Sequence, residues 1–182
     1  MTVLPKILLP TLAAWFFLFI TGCSGFHLRS PIHLSPALQK PYLETASPYS
    51  PLSHALLEAF RLSGATPVDT PRNASIIFAI LGDQRTQTLL SVSSTQSSRQ
   101  YRLSLIVTYQ LISPKGKLLT GPETVTESRV LTMASDQILS SSNEINTLYH
   151  QIRIAVVHDI MNRLASHEIS DILSGSKHRT DK

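Results

Sequence analysis

The sequence has few of the residues and motifs that mark enzymes. Its 182 residues include one cysteine and seven glycines. A single cysteine excludes an internal disulfide, so the fold must depend on an apolar core. The sequence contains no Gly-rich phosphate loop, no G-x-S-x-G nucleophile elbow and no H-E-x-x-H zinc motif. These absences speak against a nucleotide-binding enzyme, a serine hydrolase and a zinc enzyme.

Histidines and positive charges are present but scattered. The seven histidines show no metal-ligand spacing, so we expect no metal site. His158 and Asp159 are neighbours on a predicted helix, where adjacent side chains point in different directions, which favours surface polar residues over a catalytic pair. The net charge of +4 comes without a basic run, so we expect no nucleic-acid binding. With 42% hydrophobic and 15% charged residues, the composition predicts one ordinary globular domain.

The N-terminal segment has the layout of a signal peptide. An uncharged, mostly apolar run at residues 7–20 follows Lys6 and ends shortly before Cys23. The run is shorter than the roughly 20 residues that span a bilayer core, which makes a transmembrane helix the less favoured alternative. We therefore expect residues 1–22 to be a signal peptide.

The residues around Cys23 resemble a bacterial lipobox. Ile20, Thr21 and Gly22 stand where a signal peptidase recognises an apolar residue and two small ones before the modified cysteine. This resemblance implies an S-diacylglycerol and an N-acyl chain on Cys23, and several chains together make a lasting anchor. Ser24 follows instead of Asp, which implies transfer to the outer membrane. We expect no other cofactor.

Proline, helix-capping and alternating residues predict the first elements of the mature chain. Two prolines indicate an irregular lipidated N-terminus and linker at residues 23–40. Alternating side chains at 41–46 predict a short strand. Ser50 as N-cap and Gly64 just past the end predict an amphipathic helix over 51–63.

An antiparallel sheet is expected in the middle of the chain. The apolar block 74–81 reads as a buried strand that 86–92 continues or pairs with. Residues 99–112 alternate strictly, and 113–117 carry turn chemistry before the returning strand 123–133. One face of 99–112 should be buried: Tyr101, Leu103, Leu105, Val107, Tyr109 and Leu111.

The last predicted element is a long helix. Ser141 and Glu144 match a capping box, and an apolar stripe continues to Leu164. We expect a disordered tail at 175–182, which leaves an α+β domain at 41–174. The expected architecture is a two-layer sandwich, with two helices on one face of a mainly antiparallel sheet of about four strands.

The residues after Cys23 resemble the opening of a known family. Gly25, Phe26, His27, Leu28 and Arg29 look like the GCGFHLR element of the LPS-assembly lipoprotein LptE family. Weaker matches follow in order along the mature chain: Leu43-Glu44-Thr45, residues 48–52, Leu62-Ser63-Gly64, Tyr101-Arg102-Leu103, Arg129, Asn143-Glu144 and Asn162-Arg163-Leu164. Ser24, which precedes Gly25, and Ser30, where Gly often follows the arginine, depart from the pattern.

The resemblance implies a non-enzymatic role. Members have two helices on a four-stranded sheet and plug the lumen of the outer-membrane β-barrel LptD, which they help to assemble. They take part in delivering lipopolysaccharide to the outer leaflet of the outer membrane. Their own lipid anchor lies in the inner leaflet of that membrane, on the periplasmic side. Two alternatives stay open: an accessory lipoprotein of a periplasmic lipid-transport complex, and a lipid-anchored hydrolase.

Lipopolysaccharide is polyanionic, so its contacts should be basic residues. The resemblance places basic residues before the long strand and before the last helix, but here those stretches are 93–98 and 140–142, which are rich in serine. The nearest substitutes are Arg85, Arg99, Lys115 and Lys117. The alternative is that these four are ordinary solvated charges.

Overall fold

The computed structural model describes Ile32 and residues 34–95, 97–134 and 141–178. The predicted signal peptide, the lipobox and the motif at 25–29 lie outside these residues. The described part is an α+β fold, as expected. Its strands and helices are β1 Pro41–Glu44, α1 Pro51–Leu62, β2 Ile76–Val92, β3 Ser98–Ile112, β4 Leu118–Ala134, α2 Ser141–Leu164 and α3 His167–His178, with single 3-10 turns at Pro36–Leu38 and Pro71–Asn73.

The four described strands form one sheet in the order β1-β2-β3-β4. β2, β3 and β4 are antiparallel neighbours, which confirms the mainly antiparallel sheet. β1 is parallel to β2 and pairs only with Ile76–Ala79. A parallel pair needs a crossover connection, and α1 lies within it. Beyond Ala79, the outer edge of β2 has no neighbouring strand among the described residues.

Helix α1 begins and ends where the sequence predicted. The Ser50 side chain accepts a hydrogen bond from the Ser53 N–H at 3.1 Å. At the other end Gly64 has a φ of 82°, a left-handed conformation that favours glycine. Gly64 N–H donates to the Arg61 carbonyl and Ala65 N–H to the Phe60 carbonyl, each at 3.0 Å. These two bonds form a Schellman cap that stops the helix.

The strands of the hairpins are longer than the sequence indicated. β2 is a single strand across both predicted segments, interrupted by register shifts next to Leu81 and Leu90. β3 and β4 join through the predicted turn, where Ser113 N–H donates to the Lys117 carbonyl at 2.8 Å. Gly116 supplies the left-handed position of this turn, with a φ of 81°.

The core lies between the helices and one face of the sheet. On β3 the buried residues Leu103, Leu105, Val107, Tyr109 and Leu111 all belong to the predicted face, and Tyr101 on that face is half-buried. An aromatic cluster joins three elements of this core. Phe78 of β2 stacks on Tyr109 with ring centroids 4.9 Å apart, and Phe60 of α1 meets Phe78 edge-on at 5.8 Å.

Both boundaries of the predicted domain need correction. Leu38, assigned to the linker, is fully buried in the core, and Ile32 and Leu34 pack against it. At the C-terminal end the structure contains the further helix α3, which buries Ile169 and Leu173. α3 continues to His178, so the predicted disordered tail begins inside a helix; residues 179–182 lie outside the described ones.

Candidate functional site

The face of the sheet opposite the core is lined with hydroxyl groups. Cross-strand partners point to the same side of a sheet, so the register shows which side chains share this face. Rows across β2, β3 and β4 are Thr86–Ser104–Ser128, Gln84–Ile106–Thr126 and Gly82–Thr108–Thr124. The Thr108 and Thr124 hydroxyls are hydrogen-bonded at 3.1 Å. This hydroxyl face offers donors and acceptors to a polar partner.

A polar network ties the sheet to helix α2. The buried Tyr109 hydroxyl donates to Oε2 of Glu123 on β4 at 3.0 Å. The same carboxylate oxygen lies 3.6 Å from Nη1 of Arg163 on α2. Burial, and next the charge of Glu123 and its hydrogen bond, raise the pKa of Tyr109 well above its usual range, while the charge of Arg163 lowers it. The network therefore holds a neutral phenol beside a carboxylate.

The four basic residues that the sequence singled out do not converge. Arg99 lies at the start of β3, whereas Lys115 and Lys117 lie in the turn after its end. At roughly 3.3 Å per residue, the strand separates these ends by about 40 Å. Charges this far apart are screened from one another, because the Debye length is about 8 Å at physiological salt. A single anionic group contacts at most one end.

Arg85 lies between these ends and has a defined contact. It pairs with Leu105, so it shares the face that carries the helices. Its guanidinium carbon lies 5.3 Å from the centre of the Tyr149 ring, a cation–π distance. The Tyr149 hydroxyl in turn donates to the Thr86 carbonyl at 3.0 Å. This contact could not be predicted from the sequence, because Tyr149 on α2 reads as part of an apolar stripe.

No catalytic arrangement forms around His158 and Asp159. Their Nδ1 and Oδ1 atoms lie 3.7 Å apart, which is too long for a hydrogen bond. The imidazole instead contacts the side-chain amide of Asn162 at 3.0 Å. Among the described residues no group of three or more His, Cys, Asp or Glu could hold a metal ion. None of the helices in the described ranges is long and apolar enough to cross a membrane.

Comparison with known proteins identifies relatives of this domain. The family model LptE, described as lipopolysaccharide-assembly, matches residues 38–164. The LPS-assembly lipoprotein LptE of Yersinia enterocolitica is 36% identical over 98 residues, which cover 53% of this chain and 47% of that protein. The protein of the same name from Pectobacterium atrosepticum is 30% identical over 105 residues, 57% of each chain. The chain thus spans about half the length of these relatives.

A solved structure shows the same fold. The solution structure of an uncharacterized lipoprotein B from Nitrosomonas europaea superposes with a TM-score of 0.65 at 20% sequence identity. The match covers 78% of this chain and 90% of that one. The two-layer arrangement of helices on a four-stranded sheet is therefore shared with that lipoprotein.

Proposed function

The chain belongs to the LptE lipopolysaccharide-assembly family, and from this premise we propose that it is a non-enzymatic outer-membrane lipoprotein that plugs the LptD barrel. In this role it helps the barrel to assemble and takes part in delivering lipopolysaccharide to the outer leaflet. The observation that carries the proposal is the family match over residues 38–164, which includes all four strands and α1 and α2.

The hydroxyl face supports a plug. The interior of a large outer-membrane barrel is polar, so a domain seated in it must exchange hydrogen bonds with the wall. Serine and threonine hydroxyls both donate and accept, and they lose little conformational entropy on contact. The surfaces that we assign to the barrel wall are the hydroxyl face and the part of the β2 edge beyond Ala79, which has no neighbouring strand in the described ranges.

The lipid anchor completes the proposal. Cys23 would carry the diacylglycerol and the N-acyl chain and hold the domain at the inner leaflet of the outer membrane, on the periplasmic side. Lipopolysaccharide would be met by the basic residues Arg85, Arg99, Lys115 and Lys117. Because Arg85 lies on β2, Arg99 at the start of β3 and the two lysines in the turn after β3, we assign them to different anionic groups rather than to one.

Co-purification tests the barrel assignment. A C-terminal affinity tag on the full chain, expressed in its own host and extracted in detergent, should recover one large β-barrel protein. Depletion of the chain should lower surface lipopolysaccharide. Recovery of an inner-membrane complex without a barrel would refute the proposal and favour the accessory role in periplasmic lipid transport.

Matched variants test the hydroxyl face and the anchor separately. Thr126→Asp places a charge on the hydroxyl face and should reduce recovery of the barrel, whereas Thr147→Asp on the exposed surface of α2 should not. Equal recovery with both variants would remove this face from the barrel contact. Radiolabelled palmitate should enter the wild type and not Cys23→Ser; equal incorporation would refute the anchor.

A further inference from the structure

Two arginines from distant parts of the sequence lie beside Tyr149 on the helix-bearing side of β2. Arg85 lies on the strand and Arg153 one helical turn after Tyr149 on α2. The guanidinium carbon of Arg85 lies 5.3 Å from the centre of the Tyr149 ring, and residues four apart on a helix are surface neighbours, so Arg153 also lies next to Tyr149. In agreement with this placement, burial and next the positive charge of Arg85 lower the pKa of Arg153. Two positive charges on one side of the strand repel each other and attract an anion.

Neighbouring side chains hold the pair in position without neutralising it. The Tyr149 ring supports Arg85, and its hydroxyl is fixed on the Thr86 carbonyl. Nη2 of Arg153 donates to Nδ1 of His150 at 2.7 Å, so that ring nitrogen carries no proton. These contacts hold one planar donor group over the Tyr149 ring and the other, from the next turn of the same helix, against His150.

No carboxylate offsets the two charges. Within the described part of the chain, neither guanidinium has an acidic partner at salt-bridge distance. Asp83 shares the strand face but lies two residues from Arg85, roughly 7 Å along the strand. Glu127 lies on the same face and is engaged by Arg129 at 3.4 Å. Arg85 is exposed and Arg153 half-buried, so their remaining N–H donors are open to a ligand from solvent.

We propose that Arg85 and Arg153 together form a binding site for a phosphate group. The guanidinium fork matches the geometry of phosphate oxygens, and two forks from different elements satisfy several oxygens at once. A doubly charged phosphate offsets both cations, which a single carboxylate does not. Tyr149 and His150 act as positioning residues, each holding one arginine.

The phosphate group belongs either to a glycolipid or to a free anion. The assignment of the phosphate group to a glycolipid rests on the proposed function. The binding of phosphate by Arg85 and Arg153 does not. This site differs from the loop positions where the family resemblance places basic residues, since neither arginine lies in 93–98 or 140–142.

Arginine side-chain signals report on the site directly. The full chain, labelled with ¹⁵N and purified in a non-ionic detergent, is titrated with inorganic phosphate at constant ionic strength. We expect saturable shifts of the Nε–Hε signals of Arg85 and Arg153. Arg85→Gln and Arg153→Gln should each weaken phosphate binding about tenfold, the factor expected for one charged hydrogen-bond donor.

Arg102→Gln is the matched control. Arg102 is exposed on the opposite face of the sheet, so its loss changes the net charge equally and should leave phosphate binding unchanged. Arg153→Lys keeps the charge without the fork and should bind better than Arg153→Gln. Backbone spectra of all variants confirm folding. Shifts that do not saturate, or an equal loss with Arg102→Gln, would overturn the site.

A second titration distinguishes the two sources of phosphate. Lipopolysaccharide that carries its lipid A phosphates should displace inorganic phosphate from the pair, and the same glycolipid after enzymatic removal of those phosphates should not. Equal behaviour of the two preparations would overturn the glycolipid assignment. Failure of the barrel role would appear separately, as loss of barrel recovery by the wild-type chain with the phosphate titration unchanged.

Discussion

Tyr109→Phe isolates one hydrogen bond in the network that joins β3, β4 and α2. The substitution removes the hydroxyl that donates to Glu123 and keeps the ring that stacks on Phe78. A hydrogen bond to a charged group contributes about 1.5–3 kcal/mol. The Glu123 side chain is 29% exposed, so water partly replaces the lost donor. We expect the free energy of unfolding to fall by about 1–2 kcal/mol, or roughly 2–8 °C in Tm.

The pH dependence gives the same prediction a second test. Because burial raises the pKa of Tyr109 above its ordinary value near 10, the folded chain keeps a proton that the unfolded chain loses. The contribution of the Tyr109 hydroxyl to the free energy of unfolding is fully present below pH 10 and declines as the pH rises above 10. One retained proton gives a slope of about 1.4 kcal/mol per pH unit. Tyr109→Phe should lack this part of the alkaline decline.

Urea unfolding followed by circular dichroism measures both effects. A double-mutant cycle with Glu123→Ala should give a coupling of about 1 kcal/mol, since each single change removes the hydrogen bond between Tyr109 and Glu123. Glu123→Ala alone also removes the ion pair with Arg163. The reasoning is refuted if Tyr109→Phe equals the wild type at pH 7 and its stability falls in parallel with the wild type above pH 10.

Three further substitutions and one control, Gly121→Ala, test the core and the ends of α1 by the same unfolding measurement. Phe78→Ala removes the ring between Phe60 and Tyr109 and should lower the free energy of unfolding by about 3–5 kcal/mol; a loss under about 1 kcal/mol would contradict the packing. Gly64→Ala has open space for its Cβ but a φ of 82°, so a loss of about 1 kcal/mol is expected from the backbone alone. Gly121→Ala, equally open and without a positive φ, should change little. Ser50→Ala should lower the stability by about 1 kcal/mol through the lost cap, and no loss would show that Ser53 N–H finds another acceptor.

Local signals predicted the elements that local chemistry controls. Ser50, Pro51 and Gly64 fix the ends of α1 through capping and backbone conformation, and both ends were correct within a residue. Strict alternation predicted the buried face of β3, because a sheet with one wet face imposes a period of two. Both features depend on residues close in sequence.

Prediction from the sequence failed for features that depend on contacts between distant segments. Among the side chains described in α3, the large buried ones are Ile169 and Leu173, which is too weak a pattern to distinguish from a tail. The parallel pairing of β1 depends on where α1 returns the chain, which propensity does not reveal. Arg85 and Arg153 both lie beside Tyr149 because of the path of α2 over the sheet, and neither segment alone predicts this placement.

Because β1 pairs with only the first four residues of β2, the amount of this protein that a cell can tolerate should be limited. From Ile80 to Val92 the outer edge of β2 has no neighbouring strand among the described residues, and Leu81, Leu89, Leu90 and Val92 are partly exposed along this stretch. A second copy is a ready partner for such an edge, and the register shifts and the charges of Asp83 and Arg85 shorten the stretch on which it could pair. Copies made in excess of their partner would then meet one another instead, and overproduction should favour self-association that matched expression avoids.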